Sequence, residues 1–457
     1  MGTTFSPSAA CTEFVAGLEY ERIPAPVVDA IKKDILDWLG CAIGGAADPS
    51  SKPVKALADQ IGCLPQASVV GGPKRTVTFA AMSNGYASHI LEMDDVDRDS
   101  ISHPASVIIP PALAMAEYAG KSGKDVITAV VAGFETMLRI GAAMTPKHYE
   151  VFHTTATAGV FGSAMASGKL LGLDEAALSW ALGNAGTSSA GLWQFLPDGA
   201  MSKFLHTGSA CANGVTVALL AREGVTGARH ILEGTKGFFK GYARQDTDFD
   251  LFKDFGEKWR AGLFSFKPYP CCRHTHSAID AADDMRVKLA GRKVKSIRLC
   301  TYNTAMAIAG TRAPKTLREA KFSTTYCVAN GILRSKPSEK NFSVESISEA
   351  EVKALEAKIE VVIDERINAC VPRNWPCRLE VVAEDGEELV SQVWDPKGDP
   401  ENTLTWDEVE TKFAMLTDGI ISEETRAKLV ALCKDFENLA DPSELFRVAN
   451  ESFETRY

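Results

Sequence analysis

Residues 84–110 set two imidazoles and five carboxylates between apolar runs. His89, Glu92 and Met93 stand at i, i+3 and i+4, which a helix would place on one face. Glu92, Asp94, Asp95, Asp97 and Asp99 follow one another closely, and His103-Pro104 closes the run. Imidazole takes and gives protons near neutral pH, and a neighbouring carboxylate selects the ring nitrogen that carries the proton. Charge alone gives a plainer reading, a solvated acidic loop between two helices.

Four more stretches lodge polar groups in apolar or glycine-rich surroundings. They are His148 to His153, Lys203 to His206, Lys267 to Arg273 with Cys272 inside it, and Ser323 to Tyr326. Taken singly, a histidine is more often a satisfied structural residue and a lysine a solvated one. Several of these groups precede helical patterns, and helix starts attract anions. Two lysines, an arginine and histidines in such places suit a small polycarboxylate.

Other motifs fail on a required residue. Gly120-Lys121-Ser122 ends like a phosphate loop, but Met115 stands where the first glycine is needed. No Gly-x-Gly-x-x-Gly follows a strand. Gly186-Thr-Ser188-Ser-Ala190 lacks the second glycine of a nucleophile elbow. Cys271-Cys272-Arg273-His274-Thr275-His276 has no common zinc spacing.

The elements that must position these groups are mostly helices. Pro26 opens a helical pattern over residues 26–43 that Gly44-Gly45 is expected to end. Residues 107–119, 124–144, 156–171, 175–185 and 208–223 carry similar patterns, with Pro110-Pro111 read as a break near a buried helix start. Several are small and apolar all round, which marks buried helices. Lys240 to Ala261 is charged and aromatic and reads as a crossing between domains. Strand patterns then appear at 294–302, 358–363, 378–383 and 388–394, the last two flanking a turn at Glu384-Asp-Gly-Glu387. Helical patterns at 275–290 and 317–334 fall among them. The expected fold is mainly α with a second α+β domain: residues 1–264 helical, 400–457 packing back on them, and 265–399 a smaller α+β domain.

With 457 residues, a net charge of −10 and a pI near 5.5, the chain is large enough for these domains and offers no basic stripe for nucleic acid. No membrane span or secretory signal is read from the sequence, and the loose myristoylation pattern Met1-Gly-Thr-Thr-Phe-Ser6 carries little weight. Its 11 scattered cysteines suit a reducing, cytoplasmic setting.

These motifs together resemble the MmgE/PrpD family, which includes 2-methylcitrate dehydratases, cis-aconitate decarboxylases and iminodisuccinate epimerases. The resemblance spans nearly the whole chain. It rests on Asn84-Gly85, His89, Asp94-Asp95, His103-Pro104, Phe152-His153-Thr154, Lys203, His206-Thr-Gly208, Lys267-Pro-Tyr-Pro270, Phe322-Ser323, Tyr326 and Lys412-Phe413. It implies a helical domain built from both chain ends, a smaller α+β lid, a homodimer, and metal-free, cofactor-free catalysis between the domains on a small polycarboxylate. By resemblance the catalytic candidates are His103, His153, Lys203, Lys267, Tyr326 and Glu92. Asp94, Asp95, Val96, His148, His206, Cys272 and Arg273 are the candidates for substrate binding. The chain departs from the family pattern where Glu92-Met-Asp94-Asp95-Val96 replaces Asp-x-Asp-Asp-Thr, and where Cys272 stands at a position that is His in some decarboxylases. The implied reaction is lyase chemistry, dehydration of a 2-methylcitrate-like acid first, with decarboxylation of cis-aconitate or epimerisation as alternatives. An inactive polycarboxylate-binding member is the alternative outside catalysis.

Overall fold

A computed structural model of the chain describes residues 5–61, 64–335 and 337–455. Met1 to Thr4, and with them most of the myristoylation pattern, lie outside the described residues. The chain forms two compact units, Met1–Phe264 with Thr405–Tyr457, and Ser265–Leu404. The charged segment 240–261 stays in the first unit. Arg139 explains why: its buried guanidinium donates to the carbonyl oxygen of Lys258 (2.7 Å) and to Glu135, which also accepts from the Arg260 and Ala261 amides.

The first unit is helical apart from an antiparallel strand pair, Ala67–Val69 with Gly72–Arg75. Helix Ala25–Ala46 runs through Gly44-Gly45 instead of stopping there. These glycines serve close approach: a Cβ on Gly45 would lie 1.9 Å from the Ala87 carbonyl oxygen, and one on Gly44 2.6 Å from Leu91 Cδ1. Helix Ala105–Ala119 likewise continues through Pro110 and Pro111. The prolines remove the amides that would bond the carbonyls of Ser106 and Val107. The Cys211 thiol stands 3.4 and 3.6 Å from those two oxygens and donates in their place.

Helix Ser202–Arg222 packs along Val77–Ser88 at glycine contacts. A Cβ on Gly85 would sit 2.5 Å from Cys211 Sγ, and one on Gly208 2.9 Å from the Met82 carbonyl oxygen. Gly123–Met144 and Ser202–Arg222 are long and apolar enough, by length and composition, to cross a bilayer. The first is buried over 94% of its apolar window, so its apolar character is accounted for by the core of its unit. Ser122 caps it in a reciprocal capping box with Asp125, which is the role of the Gly120-Lys-Ser122 stretch.

The second unit holds a four-stranded sheet in the order Ile359–Ile363, Val294–Thr301, Cys377–Ala383, Glu388–Val393. The first pair is parallel and the others antiparallel. Helices His276–Leu289 and Thr324–Arg334 pack with it around Ile279, Leu299, Val328 and Val381. The helical pattern over 317–334 is broken: Leu317–Lys321 ends, and Ser323 caps the next helix by accepting from the Tyr326 amide.

Candidate functional site

Helix Val77–Ser88 ends at Ser88, so His89, Glu92 and Met93 do not share a helix face. Residues 89–104 form an irregular segment inside the first unit. Glu92 has φ 61°, a left-handed conformation that a side chain resists and the surrounding contacts must hold. Asp94, Asp95 and Asp97 are buried, which removes the solvated-loop reading.

Their burial is matched by partners. Asp94 Oδ2 lies 2.6 Å from His89 Nδ1 and accepts from the Ser106 hydroxyl at 2.8 Å. Asp95 accepts from the Ala105 amide at the start of its helix. Burial, with Asp34 and Asp94 nearby, pushes the Asp95 carboxyl well above the usual range. Lys412, from the returning C-terminal helix Trp406–Thr417, donates to the Met93 carbonyl oxygen and lies 2.6 Å from Asp37 Oδ1. The C-terminal segment thus anchors the irregular stretch from beneath. Val96 is buried.

His103 Nδ1 lies 2.5 Å from the Asp95 carbonyl oxygen. A carbonyl has no proton to give, so Nδ1 carries it and Nε2 is the basic nitrogen of the neutral ring. Its ring stands edge-on to His89 at 4.9 Å, and His89 stacks on His153 at 5.7 Å. His153 Nδ1 is 3.3 Å from His206 Nδ1. Burial first, then the charges of Lys203 and the neighbouring histidines, holds His153 well below the usual imidazole range. Burial also lowers His206 to about 4. Lys203, in the first turn of Ser202–Arg222, is 2.5 Å from each Glu92 carboxylate oxygen. Its ammonium therefore holds a carboxylate already, in this case the protein's own.

The structure thus gathers Glu92, Asp94, Asp95, His103, His153, Lys203 and His206, with His89 as a member that the candidate set did not include. His148 stands apart. Its Nδ1 bonds the Tyr242 carbonyl and its Nε2 the Thr157 hydroxyl, so both nitrogens serve the fold, and burial lowers it to about 4. Sequence reasoning also missed Trp193 and Phe195, whose rings lie 5.0 and 6.2 Å from His153. Two aromatics so close together after Gly191 were the available signal.

The other candidates belong to the second unit. Lys267 and Cys272 are buried. Arg273 pairs with Asp399, which also accepts from Ser265, and its guanidinium lies 2.8 Å from His276 Nδ1. Arg273 is thereby occupied inside its own unit. The Tyr326 hydroxyl donates to the Asn341 carbonyl oxygen. Cys271 meets Thr275, and His274 meets the Tyr302 hydroxyl, so the run from Cys271 to His276 disperses to separate partners.

One donor set has the types for a metal ion: nitrogen atoms of His89 and His103 and an oxygen of Asp94 lie within 4.8 Å of one another. The chemistry of that set argues for hydrogen bonding instead. The His89–Asp94 contact is closed at hydrogen-bond length.

Residues 9–250 match the MmgE/PrpD N-terminal domain and residues 269–436 the MmgE/PrpD C-terminal domain. The chain is 27% identical over 470 residues to the cis-aconitate decarboxylase-like protein oryM of Aspergillus oryzae, covering 96% of each chain. It is 26% identical over 468 residues to a cis-aconitate decarboxylase of Aspergillus terreus, covering 96% of this chain and 94% of that one. Against the cis-aconitate decarboxylase of Homo sapiens it is 26% identical over 465 residues, covering 94% and 92%.

Proposed function

Because this chain belongs to the MmgE/PrpD family, we propose that it is a lyase acting on a small di- or tricarboxylic acid, with decarboxylation of a cis-aconitate-like acid as its reaction. The observation that carries this reading is the grouping of His103, His153 and His206 with the Lys203–Glu92 pair in one partly buried setting. The similar decarboxylases named above support the choice of reaction.

Loss of CO₂ leaves a carbanion conjugated with a neighbouring carboxylate, and that charge needs a cation beside it. Lys203 is the cation for this role. A substrate carboxylate would share the Lys203 ammonium with Glu92. His103, with Nδ1 fixed by the Asp95 carbonyl, delivers or removes the proton through Nε2. We assign Lys267 a second cationic role and Tyr326 a donor role, both open to substitution, and we take the working form to be a homodimer.

Dehydration of a 2-methylcitrate-like acid is the second reading. It needs one group to remove a proton and another to protonate the departing hydroxyl. His103 and His153, whose rings both neighbour His89, supply two such groups. A panel of cis-aconitate, 2-methylcitrate and citrate followed by NMR separates the readings. Decarboxylation releases CO₂, dehydration releases water and forms a conjugated acid, and epimerisation changes only optical rotation. If no acid is converted but one raises the melting temperature, the chain is a binding protein instead.

A further inference from the structure

His89 is fully buried, and its Nδ1 is taken by Asp94 at 2.6 Å. Its Nε2 is buried with no hydrogen-bond partner. His153 is 1% exposed and its Nε2 is in the same condition. The two rings stack at 5.7 Å with planes 24° apart. A buried polar atom left without a partner is costly, and two in adjacent rings mark a place meant for a polar ligand atom.

We propose that His89 is a further ligand-contacting residue of this site, and that a ligand carboxylate is received by the Nε2 atoms of His89 and His153 with uptake of a proton from solvent. The inference rests on the reading of the site as one for polycarboxylates. In His89, whose Nδ1 is taken by Asp94, a neutral ring has only a lone pair at Nε2, which repels a carboxylate oxygen. Protonating Nε2 turns it into a donor and gives a charge-assisted bond. One N–H bond forms, and the proton comes from the buffer. Asp94 behind His89 compensates the new positive charge. The charged and titratable groups around the pair are Asp94, Glu92, Lys203, His103 and His206. Lys203 and the other histidines oppose charge on His153, so an empty site keeps that ring neutral. An arriving carboxylate reverses the balance.

The test is calorimetric titration of the full chain with tricarballylate, the saturated analogue of aconitate, in buffers of differing ionisation enthalpy. Near pH 7.5 the expected result is uptake of about one proton or more per ligand bound. In His89→Gln, binding persists with a smaller uptake. Binding with no proton uptake overturns this inference and leaves the proposed function standing. Unchanged uptake in His89→Gln overturns the part given to His89. If that variant does not fold, the wild-type count decides alone. No binding of tricarballylate, together with no conversion or binding of any acid in the panel, defeats both the functional reading and this inference.

Discussion

His103 shows how a single side chain's chemistry is set by its backbone surroundings. The Asp95 carbonyl oxygen fixes its tautomer, and a side chain without that ring cannot move the proton. His103→Ala is expected to lower turnover of the converted acid about a hundredfold or more, with the circular dichroism spectrum unchanged. Turnover within a few-fold of wild type would remove His103 from the mechanism. His148 makes the opposite case. Its folded ring, lowered to about 4 by burial, stays neutral where the unfolded ring, near 6.5, takes a proton. The unfolded chain therefore binds more protons below pH 6.5, and stability from this group is lost between about pH 6.5 and 4. Urea unfolding at a series of pH values should show wild type losing on the order of 3 kcal/mol more across that window than His148→Gln. The buried carboxyls slope the other way but are common to both proteins, so equal slopes would contradict the assignment. Sequence reasoning put both histidines at the site, His103 as a catalytic candidate and His148 as a substrate-binding one. The distinction lies in the partners of the ring nitrogens, Tyr242 and Thr157 in one case and a backbone carbonyl in the other, which spacing does not encode.

At the scale of elements, the helices that frame the site were legible where their apolar period is long, as in Gly123–Met144 and Ala25–Ala46. Their ends and interruptions were not. Glycine normally stops a helix and proline breaks one, yet Gly44-Gly45 and Pro110-Pro111 lie within helices because packing outweighs local preference. At the prolines the Cys211 thiol, donating to the Ser106 and Val107 carbonyls, takes the place of the lost amides. Cys211→Ala is expected to cost about 1–3 kcal/mol by leaving those buried oxygens unmet, whereas Cys211→Ser, which keeps a donor, costs less. Thermal unfolding of the two variants checks this, and equal losses would show that sulfur packing, not donation, is what the site uses. In the irregular segment 89–104 the histidines and acids were legible, but their burial was not, and the helical face read for His89, Glu92 and Met93 is absent. The segment's burial follows from Lys412, far away in sequence, on the Met93 carbonyl, and from the nearby Ser106 on Asp94.

At the scale of the whole molecule, a chain of net charge −10 must take an anionic ligand through local cations rather than a general field. Lys203 provides one in the first unit, and the return of Thr405–Tyr457 to that unit places Lys412 under the segment that carries Glu92 and His103. The two-part organisation was legible because strand patterns join the helical ones only beyond residue 290. The identity of the reacting acid was not, since it depends on where a few polar atoms point. A specific acid should stabilise the native chain: at about a hundred times its dissociation constant, roughly 2.7 kcal/mol is expected, seen as a rise in melting temperature that chloride at equal ionic strength does not reproduce. The most direct measurement is CO₂ release from cis-aconitate, with the remaining acids followed by NMR, by wild type and His103→Ala in parallel. We expect steady release by wild type and a loss of about a hundredfold or more in the variant. A folded wild-type protein that converts neither cis-aconitate nor any other acid in the panel would contradict the assignment of this chain as a lyase.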